Sequence, residues 1–141
     1  MPSIKPLLIL LALSVLTPAM AEDTTLTVNV VAADPPTGTV EVSIFDSEES
    51  FLTTARAQFP CVPDADGACT SRFVRMTPGE YAVVVVHDAN GNNKLDNGIL
   101  GFGAESFAYS NGAKNPLFGR ASFDDAKIRV EGETVIEISL D

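Results

Sequence analysis

The chain has one histidine, two cysteines and nine lysines and arginines in 141 residues. One His and two Cys are too few for a zinc site of the usual kind. Serine hydrolase chemistry is unsupported, because no G-x-S-x-G stretch occurs. GILGFGAES is glycine-rich but lacks the Lys and the βαβ setting of a phosphate-cradling loop. The scarcity of basic residues excludes nucleic acid and anionic membrane surfaces as expected partners. Long apolar runs are also scarce. The one example, LLILLALSVL, is short for a membrane span and is followed by Pro18.

That run has a different reading. Lys5 precedes it and Ala19-Met20-Ala21 follows with small-x-small spacing, which predicts a signal peptide over 1–21 cut after Ala21. No Cys stands near that point, so lipid anchoring is not expected. The expected mature chain, 22–141, has room for one domain and one core. It holds all nineteen acidic residues and eight basic ones, a formal net charge of −11. Such a chain suits an extracytoplasmic space, periplasmic or secreted, and attracts cations.

Export bears on Cys61 and Cys69, which flank Pro-Asp-Ala-Asp-Gly turn chemistry in PCVPDADGACT. An oxidising compartment favours a disulfide between them. Closing so short a loop contributes roughly 2.5 kcal/mol in the chain-entropy model. Redox work prefers the tighter C-x-x-C spacing, so a staple is the expected role.

Period-two alternation dominates the rest. Leu26, Val28 and Val30 share one face. So do Val40, Val42 and Ile44, then Ile128 and Val130, then Ile136, Ile138 and Leu140. ADPPTG and VEGE read as turns between neighbouring strands, with Gly132 suited to a tight hairpin. YAVVVVHD is apolar on both faces, as in a strand covered on both sides. The second cover is expected from the segment 98–125, with Phe102, Phe107, Tyr109, Phe118 and Phe123, read as an ordered loop over the sheet. One short helix is expected after Asp46-Ser47-Glu48-Glu49, with Phe51, Leu52, Ala55 and Phe59 on one face. A single turn capped by Ser122 is expected over 122–125. Six to eight short strands with one or two helical turns predict an all-β fold, an antiparallel β-sandwich, with an Ig-like arrangement among its forms. No internal repeat interrupts it.

The stretch HDANGNNKLD, 87–96, ends the apolar strand in oxygen-bearing side chains. Counted as a calcium loop, Asp88 takes position 1, Asn90 position 3, Asn92 position 5, the Lys94 carbonyl position 7 and Asp96 position 9. Asn93 stands at position 6, where Gly is usual, as the next best residue for a left-handed backbone. Ile99 replaces the bidentate Glu of position 12, and nothing in the sequence brings Glu105 into its place. Affinity is then expected on the order of 10⁻⁴ to 10⁻³ M. The competing reading is a plain polar turn, since Asn-Gly and Asx side chains satisfy loop backbone unaided. His87 and Asp88 are strand neighbours whose side chains diverge, which argues against a catalytic pair. His87 is expected to be structural, and no enzyme is expected.

Three stretches together resemble a known family. They are GEYAVVVVHDANGNNKLD (79–96), GILGFGAESFAYSN (98–111) and FGRASFDDAKI (118–128). The resemblance is to a bacterial secreted family catalogued as domain of unknown function 2141, and spans about Leu26 to Leu140. That family usually has Gly where this chain has Asn93 and often Pro where it has Gly103. The resemblance implies an exported sandwich similar to transthyretin-like (prealbumin-like) domains and implies no activity. Two functional expectations follow from the residues. One is a calcium-ordered surface for a protein or envelope polymer. The other is a metal-free module that binds a peptide, glycan or small ligand through 98–125.

Overall fold

The structure, a computed structural model, describes residues 23–93, 105–117 and 119–141. The expected leader, Lys94, Asp96, Phe102 and Phe118 lie outside the described residues. Among the described residues eight strands form: β1 (Thr24–Val31), β2 (Thr39–Phe45), β3 (Ala57–Cys61), β4 (Cys69–Met76), β5 (Gly79–Asp88), β6 (Phe107–Tyr109), β7 (Lys127–Val130) and β8 (Glu133–Ser139). One sheet has the order β4-β1-β8. The other runs β3-β2-β5, with β6 and β7 both pairing β5.

The alternation fixes what lies between the sheets. Leu26, Val28, Val30, Phe73 and Ile138 from the first meet Val40, Val42, Val83, Val85 and Val130 from the second, all buried. Each buried side chain of this size is worth about 1.5–3 kcal/mol of transfer free energy. The second sheet is covered again outside. There Ala82 and Val84 of β5 pack with Phe45, Phe51, Tyr109 and Phe123. Phe51 is central, with ring centroids 5.4 Å from Phe45 and 6.1 Å from Phe123. The doubly apolar β5 therefore lies between two cores, as its sequence predicts.

Pairing departs from expectation at both presumed hairpins. The 32–38 connection and Glu131–Gly132 each carry the chain from one sheet to the other. β7 pairs β5 antiparallel, whereas β8 pairs β1 in parallel, Thr25 opposite Glu133 through Val31 opposite Ser139. Alternation assigns a strand its inner face but not its neighbour, so closeness in sequence does not make two strands partners.

The expected helix after Asp46 is also absent. Phe51 N–H donates to Ser47 O at 3.0 Å and Thr54 N–H to Ser50 O at 2.9 Å, so isolated turns form. Leu52 has φ +59, which a continuing right-handed helix does not admit. Phe59 belongs instead to β3, its ring 5.1 Å from that of Phe73. The turn after Ser122 is present as α1 (Phe123–Ala126), with a reciprocal capping box between Ser122 and Asp125. The hydroxyl of Ser122 and the carboxylate of Asp125 each satisfy a backbone N–H that the helix start leaves over.

Cys61 and Cys69 are disulfide-bonded, with Cα atoms 5.8 Å apart. Cys61 ends the edge strand of one sheet and Cys69 begins the edge strand of the other. The staple thus ties the two sheets along one side. Nearby, Ser71 Oγ donates across the same side to Phe59 O at 3.1 Å.

Candidate cation loop and outer groove

Strand alternation separates His87 from Asp88. His87 points between the sheets, 1 % exposed, and its Nε2 lies 2.8 Å from Thr37 O. A carbonyl only accepts, so Nε2 carries the hydrogen and the ring braces the start of β2. That is the structural role expected of it. Asp88 points to the outer side of its sheet, opposite Thr39, and is buried as well.

The loop folds around the Asp88 carboxylate. Oδ1 accepts from Gly91 N–H at 2.7 Å and Asn92 N–H at 3.2 Å, and Oδ2 accepts from Asn93 N–H at 2.7 Å. Asn92 N–H also donates to Asn90 Oδ1 at 2.9 Å. This wrapping needs left-handed backbone at Gly91, φ +73, and at Asn93, φ +56. Asn93 thus holds the conformation that the loop count assigns to its sixth position. Gly38, at φ +73, seals the other flank. A Cβ there would lie 2.0 Å from Asp88 O.

The structure adds Glu105, which the loop spacing left out. β6 pairs β5 with Val86 opposite Phe107 and Val84 opposite Tyr109. Continuing that register sets Ser106 beside His87, whose N–H donates to Ser106 O at 2.9 Å. One residue further, Glu105 stands across from Asp88, and it too is buried. Burial alone would raise the Asp88 pKa. Hydrogen bonds from the N–H groups of Asn93, Gly91 and Asn92 and from the Glu105 side chain outweigh it and hold that pKa below the ordinary aspartate value. Like charges directly opposite on neighbouring strands destabilise each other. The alternation of Glu105, Phe107 and Tyr109 is the signal that marks this neighbour, once β6 is known to pair with β5.

Asp88, Asn90 and Asn92 are therefore brought to one loop, with Glu105 added. Among the described residues, no group of three or more His, Cys, Asp and Glu converges as a metal cluster. The Asp88 and Asn90 side-chain oxygens accept from loop backbone N–H groups, and Lys94 and Asp96, the remaining members of the expected ligand set, lie outside the described residues.

An open groove of about 390 Å³ runs from Asp88 and Asn93 along the outer face of the sheet, past Thr39, Glu41 and Ser43. It meets a second groove of about 330 Å³ that ends at Phe107, Tyr109 and Arg120. Of the five rings expected over the sheet, Tyr109 and Phe123 are buried and Phe107 is 41 % exposed.

The fold and loop define a class: a small disulfide-stapled β-sandwich with an Asp/Asn loop at the end of its central strand. Residues 28–137 match the family described as "Uncharacterized protein conserved in bacteria (DUF2141)", and the chain belongs to it. No curated protein matches the chain, and no solved structure matches it.

Proposed function

We propose that the protein is an exported, non-enzymatic β-sandwich whose 88–96 loop holds calcium weakly. The observation that carries this reading is the opposition of two buried carboxyls, Asp88 and Glu105, at the mouth of an Asx-rich loop. Asp88, Asn90, Asn92, Asp96 and the Lys94 carbonyl would hold the ion, with Glu105 in place of the missing bidentate ligand. Bound calcium supplies charge that relieves the carboxyl–carboxyl repulsion. The loop then ties β5 to the segment laid over the sheet and presents an ordered surface to a protein or envelope polymer. The leader-like 1–21 stretch and the Cys61–Cys69 disulfide support export.

The test is thermal melting in EDTA, millimolar calcium and millimolar magnesium. Binding to the folded state alone adds about 1.4 kcal/mol at ten times the dissociation constant. That raises Tm by roughly 3–6 °C. Calcium is expected to raise Tm in the parent protein and not in Asp88→Ala or Glu105→Gln. Identical curves in calcium and EDTA make the loop a turn. The metal-free reading then gains, on the strength of the exposed Phe107 ring.

A further inference from the structure

Strand register lines up one row of the outer groove. Glu41 of β2 stands opposite Val86 of β5, and Val86 stands opposite Phe107 of β6. With strands about 4.8 Å apart, the carboxylate and the aromatic ring lie roughly 10 Å from each other across an apolar floor. Glu41 is half-buried, and among the described residues its carboxylate makes no hydrogen bond or ion pair. Its neighbours Ser43 and Gln58 are engaged with each other, Gln58 Nε2 donating to Ser43 Oγ at 2.9 Å. Burial raises the Glu41 pKa above the ordinary glutamate value. A partly desolvated carboxylate without a partner lowers stability, and such exceptions mark binding sites. Phe107 is the matching anomaly, a large ring left exposed at the other end of the row.

We propose that this row is a binding site for an organic cation, an ammonium or guanidinium group on an apolar body. The cation pairs with Glu41 and the body lies on Val86 against the Phe107 ring. The other charged groups lining the groove set the orientation. Asp88 flanks the Glu41 end and favours positive charge there, while Arg120 lies at the Phe107 end and disfavours it. A free amine and an Arg or Lys side chain of a protein partner share this chemistry.

The site goes beyond the calcium reading. Neither Glu41 nor Phe107 is a calcium ligand in that reading, so each fails separately. The experiment is a ¹⁵N-resolved NMR titration of the disulfide-bonded protein in EDTA. The probes are benzylammonium, the peptide acetyl-Gly-Arg-Gly-amide and neutral benzyl alcohol. Saturable shifts are expected at residues 41, 43, 86 and 107, with a dissociation constant of about 1 mM. Glu41→Gln, whose spectrum also reports its fold, is expected to weaken cation binding by about tenfold, as is replacement of the cation by benzyl alcohol. Phe107→Ala is expected to weaken benzylammonium binding further. Tighter binding of the peptide assigns the site to a partner's side chain, and tighter binding of benzylammonium to a free amine. Either preference supports the shared chemistry. Unsaturable shifts, equal binding of the alcohol, or unchanged binding by a folded Glu41→Gln protein overturns it. Loss in Asp88→Asn without loss in Glu41→Gln overturns it too, by moving the cation to the other carboxylate.

Discussion

Gly38 and Gly91 have the same backbone angle, φ +73, in very different surroundings. An alanine Cβ at Gly91 meets nothing within 4 Å. At Gly38 it falls 2.0 Å from Asp88 O and 2.8 Å from both Ala89 C and Ala89 Cα. An ordinary C···O contact is roughly 3.3 Å, so backbone must move by more than about 1 Å. The atoms in the way belong to β5 and its loop, held by Thr39 on one side and Glu105 on the other. Both substitutions incur the left-handed penalty, about 1–2 kcal/mol. Gly38→Ala adds overpacking strain of about 1–3 kcal/mol. With a urea m-value of about 1.5 kcal/mol/M, the midpoint falls by about 1 M for Gly91→Ala and roughly 1.5–3 M for Gly38→Ala. Equilibrium urea unfolding in EDTA, followed by circular dichroism, measures both. The difference between the variants isolates the close approach, because the φ contribution cancels. Equal midpoints refute the packing of Gly38 on the Asp88 carbonyl.

Three further outcomes are expected. Replacing both Cys61 and Cys69 by Ser removes a staple between the sheets and lowers the unfolding free energy by about 2–3 kcal/mol in urea titrations. Ser122→Ala removes one half of a capping box and costs about 1 kcal/mol in the same assay. The Asp88 pKa is depressed in the fold, so its stabilising contribution is complete above the unfolded value near 3.9 and is lost as pH falls through the lower folded value. The stability gap between the parent and Asp88→Asn should therefore narrow as pH drops below about 4, and a gap constant with pH contradicts the backbone cradle.

Side-chain pattern made most of the fold legible. Leu26, Val28 and Val30 declare their inner face by spacing alone, and the four valines from Val83 to Val86 announce a strand covered twice. Partner choice stayed hidden, because nothing in KIRVEGETVIEIS says that its two halves enter different sheets. Leu52 likewise looks helical by spacing, yet it takes φ +59 beside Phe51, whose ring packs against Phe45 and Phe123. In the loop, Asp88 and Asn93 were legible from short-range chemistry. Glu105 was not, because its place opposite Asp88 depends on a strand pairing seventeen residues away in the chain. Glu41 was hidden for the same reason. Alternation marks it as an outward residue, and only cross-strand register reveals what it faces.

The parallel pairing of β1 with β8 joins the first strand of the sandwich to the last. Until Glu133–Ser139 has been synthesised, Leu26, Val28 and Val30 sit in a sheet with one side open and Ile138 missing from the core. The contacts that complete the fold span more than a hundred residues, a separation that slows folding. A nascent chain short of its final strand therefore stays incompletely folded. Such a delay fits the export proposed above, in which the chain crosses a membrane before it closes on itself.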